Sequence, residues 1–409
     1  MSAAVAGSHR LSDTALAWLL GAIAMLGPFA IDTFFPAFPV VARELGASPA
    51  ALQQTISVYL LGFALASLLH GPWSDSYGRR PVLIVSLLGF TLASVGCVFA
   101  ATLTQLLWFR LAQGFCAAGG TVILRAIIRD RYDGPAAQRA MSQITLIFAA
   151  APVIAPIIGG VILHYTHWRG IFVFVLLFGL GVSAGAMLLL QETHPAERRI
   201  AFTASSLIRG YWRLAKDAQG VWLVLAAAFN FSGLFLFIAS APVVVLELWH
   251  LTISDFWKLF VFAIGGILVG SQLSGLVAGR WSDARTVATA YVLMALGCAS
   301  HLLYGALVSQ PSWPLAAVPI LLYGSGSSLA FPTLTIKLMD RYPDRRGAAA
   351  SLQAFASLGV NAVVAGAVSP FVSHHTFELA LAQSLLMLTG YAGWRAYRRG
   401  EKRAAAQFG

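Results

Sequence analysis

The chain has 409 residues, 58% of them hydrophobic and 11% charged, with a formal net charge of +11 and a mean hydropathy of +0.76. A soluble domain carries about 25% charged residues, so this composition excludes a water-soluble enzyme and places most of the chain in lipid. The three cysteines, Cys97, Cys116 and Cys298, fall in apolar stretches without metal or redox spacing and read as small buried hydrophobes.

A hydrocarbon core about 30 Å thick needs about 20 apolar residues at ~1.5 Å each. Twelve stretches reach that length, near 14–36, 51–71, 81–101, 104–127, 140–163, 169–191, 220–246, 256–279, 287–309, 313–336, 348–371 and 375–396. The segment before span 1 is short, carries one Arg and lacks a clear cleavage site, so span 1 reads as an uncleaved helix. It closes on Gly27-Pro28-Phe29-Ala30-Ile31-Asp32-Thr33-Phe34-Phe35-Pro36-Ala37-Phe38-Pro39, with Asp32 the one acid placed well inside a span.

After span 2 comes the polar run Gly71-Pro72-Trp73-Ser74-Asp75-Ser76-Tyr77-Gly78-Arg79-Arg80-Pro81. Glycines permit tight turning, Asp75 offers an anion to an Arg or a helix N-terminus, and Arg79 and Arg80 suit lipid headgroups. Span 4 carries Arg110-Leu111-Ala112-Gln113-Gly114 in its outer third. An Arg there costs roughly 2.5–3.5 kcal/mol on insertion scales and needs a partner; Asp32, at the same depth, is the expected one. Burial and a neighbouring Arg act in opposite directions on a carboxyl's proton affinity, which fits Asp32 for proton uptake with Arg110 tuning it. A static ion pair is the plainer alternative.

Span 5 holds Ala151-Pro152-Val153-Ile154-Ala155-Pro156-Ile157-Ile158-Gly159-Gly160, where Pro bends the helix and Gly admits a close neighbour. The segment 192–217 is the longest polar one and reads as a linker, either a short surface helix or a solvated connection. Tyr59, Asn230, Phe235 and Asn361 are the candidate walls of a cavity for an apolar, weakly polar guest. His164, His167, His374 and His375 sit at outer loop ends and read as interface residues, with no metal site expected.

The chain repeats itself. Gly71-Pro72-Trp73-Ser74-Asp75 returns as Gly279-Arg280-Trp281-Ser282-Asp283, and Asp130-Arg131-Tyr132-Asp133 as Asp340-Arg341-Tyr342-Pro343, at offsets of 208 and 210 residues. The second copy keeps Asp283 but lacks the Gly and paired Arg, so its role is expected to be weaker. Two six-span halves follow, a common plan for secondary transporters. Of the 27 Lys and Arg, only Arg43, Arg169 and Lys258 fall in outer loops, and Arg110 and Arg125 lie inside span 4. This bias sets both termini in the cytoplasm and accounts for the positive charge by topology and anionic lipid, with no nucleic-acid partner.

The run from Gly71 through Arg80 resembles the signature loop of the major facilitator superfamily, and Arg110 to Gly114 resembles its second motif. Pro152, Pro156, Gly159 and Gly160 resemble the antiporter motif of its drug exporters, with Ala155 in place of the usual Gly. Ile31-Asp32 followed by Pro36-Ala37-Phe38-Pro39 resembles the bicyclomycin- and chloramphenicol-resistance branch, whose members are bacterial drug:proton antiporters. The resemblance implies an all-α integral membrane fold of twelve transmembrane helices in two pseudo-symmetric six-helix bundles. Residues 1–191 and 218–396 would form the bundles, 192–217 a cytoplasmic linker and 397–409 a cytoplasmic tail.

It further implies a latch at Gly71, Asp75, Gly78, Arg79, Arg80 and Asp283, and proton-coupled efflux of small drug-like compounds across a bacterial inner membrane by alternating access. No cofactor is expected beyond the proton gradient, and the state expected is a monomer among membrane lipids. The alternatives are a same-fold transporter of a nucleoside, sugar or amino acid and, less in keeping with the residues, a membrane-embedded enzyme.

Overall fold

The fold is seen in a computed structural model that describes residues 12–132, 134–199 and 201–408; Arg10 and Asp133 lie outside the described residues. Twelve long helices form the spans: Asp13–Asp32, Pro49–Ser67, Arg79–Phe99, Leu103–Arg131, Gly134–Tyr165 and Trp168–Leu189 in the first half, then Ala218–Ala239, Trp257–Val277, Asp283–Leu307, Val318–Arg341, Arg346–Val363 and Thr376–Phe408 in the second. Every described element is helical, as lipid demands of a chain that must satisfy its own backbone. Large apolar side chains such as Leu92, Leu177 and Leu188 stay exposed, the pattern of a surface solvated by hydrocarbon rather than water.

The halves repeat one packing scheme. Span 4 packs on spans 2 and 3, and span 3 on span 6; span 10 packs on spans 8 and 9, and span 9 on span 12. The halves meet along spans 2 and 11 and along spans 5 and 8. Gln54 Nε2 donates to the Gly366 carbonyl and Ser57 Oγ to the Ala362 carbonyl, each at 2.7 Å. The Phe35 and Phe260 rings stand 6.1 Å apart. All of these contacts lie toward one end of the bundle, where span 1 ends and span 2 begins. Toward the opposite end, among the described residues, no side-chain hydrogen bond joins spans of opposite halves, so the halves are tied together mainly at one end.

Several segments differ from the sequence-based expectation. Span 1 was expected to run to residue 36, but its helix stops at Asp32. The Pro36 ring would collide with the carbonyl four residues back, that of Asp32, so a 3-10 turn over Phe35–Ala37 and a short helix Phe38–Glu44 follow. Span 12 continues unbroken to Phe408, so residues 397–408 extend that helix instead of forming a separate tail. Within the linker the segment Ala204–Lys216 is helical, one of the two expected forms. Span 11 widens into a π-helix at Val364–Val368, next to the carbonyls that accept from span 2.

Candidate functional site

Asp32 ends the helix of span 1 and is 4% exposed. Arg110 is fully buried beside it, yet no direct ion pair joins the two. The guanidinium instead donates through Nη1 to the Ala30 carbonyl at 2.8 Å and to Gln113 Oε1 at 2.7 Å, and through Nε to the Thr55 carbonyl at 3.4 Å. Ala30 is among the last four residues of its helix, whose carbonyls have no helical partner; a break forced by Pro36 therefore supplies the acceptor that a carboxylate was expected to supply. Gln113 is itself held, donating to Ser94 Oγ at 2.8 Å. The Arg110 carbon lies 4.6 Å from the Tyr59 ring centre, a cation–π distance.

The antiporter segment meets this cluster directly. Span 5 is one helix, Gly134–Tyr165, with Pro152 and Pro156 inside it. A Cβ at Gly159 would stand 2.0 Å from the Thr33 carbonyl oxygen, so only glycine lets span 5 cross span 1 beside Asp32. Gly160 faces the other half, with Ile253 about 3.5 Å from its Cβ position. A cleft of about 1000 Å³ opens here between the two halves, lined by Gly160, His164, Trp168, Leu246, Thr252 and Ile253.

At the opposite end of the bundle Gly78 turns the chain with φ +98° between a short helix, His70–Tyr77, and span 3. Gly71 has open space apart from Val122 at 3.8 Å from its Cβ position. Arg79 pairs with Asp75 and donates to Ser74 Oγ at 2.7 Å and to Asp130 Oδ2 at 3.0 Å. Arg80, expected at the headgroups, reaches the Met187 carbonyl at 2.7 Å. Glu192 caps span 3, accepting from the Arg79 and Arg80 backbone N–H groups at 2.9 and 3.2 Å. In the second half Asp283 meets Lys337 at 3.0 Å, and Lys337 meets Glu401 at 3.3 Å. The position four residues past Asp283, where Arg79 would recur, is the fully buried Val287.

The expected cavity walls divide. Tyr59 belongs to the Arg110 cluster. Asn361 accepts from Ser232 Oγ at 2.7 Å, linking spans 11 and 7. Asn230 is buried within the second half: its side-chain amide donates to the Tyr291 hydroxyl at 3.0 Å, its Oδ1 lies against Gly390, and its backbone carbonyl accepts from Tyr323 at 3.0 Å. A buried amide turns toward polar groups that can satisfy it; here its nitrogen finds one within the second half, while Oδ1 has no hydrogen-bond partner among the described residues. Phe235 is likewise buried, 7% exposed. Open space lies by span 11 instead, where a Cβ at Gly359 would meet nothing within 4 Å.

Sequence reasoning grouped only the outer-loop histidines. Two of those pair with acids: His167 with Glu44 at 2.7 Å, and His374 with Glu247 at 3.2 Å. It passed over His70 and His301, buried within the bundle. His301 Nδ1 lies 3.2 Å from Gln383 Oε1, with its ring 5.0 Å from that of Phe237. The available signal was the one that found Asp32: a lone titratable residue in an apolar stretch.

Residues 18–370 match the profile of the Major Facilitator Superfamily. The chain belongs to the major facilitator superfamily. It is 29% identical over 356 residues to a bicyclomycin resistance protein homolog of Haemophilus influenzae, covering 86% of this chain and 87% of that one. It is 30% identical over 394 residues to an uncharacterized MFS-type transporter, YdgK, of Bacillus subtilis, covering 96% of each. Multidrug resistance protein D of Escherichia coli is 28% identical over 352 residues, covering 84% and 85%.

Among solved structures, an inward-facing, occupied bacterial homolog of the lysosomal transporter Spinster superposes with a TM-score of 0.71 at 16% identity over 94% of this chain and 97% of that one. A D-xylose-proton symporter superposes with a TM-score of 0.72 at 14% identity over 93% and 97%. These two likenesses establish the twelve-helix superfamily fold. The protein is a multi-pass membrane transporter, not an enzyme.

Proposed function

We propose that this transporter exports small, apolar, drug-like compounds across the bacterial inner membrane in exchange for protons, with both termini in the cytoplasm. The observation that carries the reading is the buried Asp32 carboxyl, free of a direct ion pair and placed where Gly159 brings span 5 onto span 1. A carboxylate locked to Arg110 would resist protonation; one that only feels the cation's field can gain and lose a proton as the halves move. Arg110, tied to carbonyls of spans 1 and 2, tunes that step and transmits it to both helices. The relatives named for bicyclomycin and multidrug resistance support the substrate class.

One proton crossing ~100 mV supplies roughly 2.3 kcal/mol to drive the cycle. The two inner clusters around Asp75 and Asp283 act as latches that close on each other when the outer side opens. The open flank of span 11 near Gly359 contacts the guest, and Tyr59 and Asn361, buried in this state, join the wall as the halves move.

The test is proton release from purified protein in detergent on addition of candidate drugs. Wild type is expected to release protons and Asp32→Asn to bind drug silently. Binding without release in both proteins would remove Asp32 from the coupling role, and no response to any drug would favour a metabolite as substrate.

A further inference from the structure

The linker helix, Ala204–Lys216, carries three separate stripes. Leu207, Gly210, Tyr211 and Leu214 turn toward the protein, with Leu214 only 3% exposed. Ile208 and Trp212, one turn apart, are 67% and 62% exposed. Arg209, Arg213 and Lys216 occupy the third side. No acid lies within the helix, and among the described residues none of these three cations meets a carboxylate. Lys216 Nζ stands 5.1 Å from the Trp212 ring centre. Arg345 adds a fourth charge, its Nη1 3.6 Å from the Cβ position of Gly210.

The depth of this helix is set by its attachments. Its C-terminal end runs into Asp217, which caps span 7 and pairs with Arg341 at the end of span 10. Tyr211 donates its hydroxyl to the Leu68 carbonyl at 3.1 Å, where span 2 ends, and also contacts Ser351 near the start of span 11. One side chain thus touches both halves on the side where their spans stand apart. The exposed apolar stripe and the basic stripe therefore lie at the level where acyl chains give way to headgroups. A solvated linker has no use for an exposed Ile and Trp, whereas a helix lying in the interface buries them and turns its cations to phosphate.

We infer that the linker helix is a docking surface for anionic phospholipid of the inner leaflet, and that this contact holds Tyr211 across the seam between the halves. The inference rests on the orientation proposed above, which puts the linker at the cytoplasmic leaflet. Each cation near an anionic surface contributes roughly a fivefold bias, so the three on the helix amount to roughly a hundredfold. Lipid composition would then act on the inner mouth through the linker, away from the proton and substrate sites.

The experiment is amide hydrogen exchange of the full-length protein in nanodiscs, without drug or proton gradient, so that its outcome is independent of the export reading. Residues 204–216 are expected to exchange up to roughly a hundredfold more slowly in discs containing phosphatidylglycerol than in phosphatidylcholine alone. The variant Arg209→Gln/Arg213→Gln/Lys216→Gln should lose that protection and Arg209→Lys/Arg213→Lys should keep it, with span 7 protected equally throughout as the control for folding. Equal exchange in the two lipids would overturn the inference. So would protection that survives the triple variant, or that glycerol phosphate or inorganic phosphate reproduces in neutral discs. Spin labels at 77 and 346 read the coupling: phosphatidylglycerol should narrow their distance distribution in Tyr211-containing protein and leave Tyr211→Phe unchanged. Equal narrowing in both would overturn the role given to Tyr211.

Discussion

The two inner loops arose from one repeated text and close in different ways. In the first half Arg79, on the loop itself, gathers Asp75, Ser74 and Asp130, while Glu192 caps the helix behind it. In the second half Val287 fills the equivalent position and packs into the core, and Lys337, from span 10, supplies the cation to Asp283 and Glu401. Glu192 and Glu401 stand 209 residues apart, so the repeat extends to a third acid in each half. The acids kept their places while the cation moved. What the duplication conserves is a negative cluster at the inner end of each half, and the cation that organises it is free to come from another helix. The first cluster is also somewhat drier: the Arg79 and Asp75 side chains are 9% and 47% exposed, against 17% and 58% for Lys337 and Asp283.

That contrast makes unequal predictions. Arg79→Ala strands two carboxylates in a partly buried site and should cost about 3 kcal/mol, whereas Lys337→Ala should cost about 1 kcal/mol or less, as surface pairs do. Thermal unfolding in detergent compares the two, and equal losses would break the contrast. Glu192→Gln should cost about 1 kcal/mol through a weakened helix cap and loosen the start of span 3 in hydrogen exchange. Glu401→Gln should change stability by only a few tenths of a kcal/mol.

A small, pH-dependent effect is expected at Asp217, where the second half gives Arg341 and Tyr342 a shared acid. Hydrogen bonds from Arg341 hold the Asp217 carboxyl below its ordinary range, and burial beside that acid pushes the Tyr342 hydroxyl up to about 12. A depressed acid stabilises the fold above its unfolded pKa of about 3.9 and loses that contribution as pH falls through the folded value. Stability measured from pH 5 to pH 2 should therefore fall less steeply in Asp217→Asn, by under about 1 kcal/mol because the group is largely solvated.

The spans and their duplication were legible because lipid punishes any polar residue without a purpose, so length, hydropathy and the few charges carry nearly all the information. Asp32, Arg110 and the loop acids stood out for the same reason. Their partners did not. Arg110 is held by backbone carbonyls, which every residue possesses and no sequence advertises; Asn230 turned inward because the Tyr291 hydroxyl waits 61 residues away in the chain. The Glu192 and Glu401 pair was readable from spacing alone, but lone acids at span ends look like topology markers until a structure shows what they touch.

The seal between spans 2 and 11 has a consequence for how this protein can vary. Its donors are the side chains of Gln54 and Ser57, but its acceptors are main-chain oxygens of residue 362, just before the π-turn of span 11, and residue 366, within it. A point substitution at Ala362 leaves its acceptor in place, and at Gly366 an added Cβ would come 2.6 Å from Ser57 Oγ and wedge the seam. Heritable adjustment of the seal is thus lopsided. Span 2 can tune its strength residue by residue, while span 11 presents a fixed counterpart, leaving the neighbouring side chains of span 11 free to diversify toward new guests without loosening the closure.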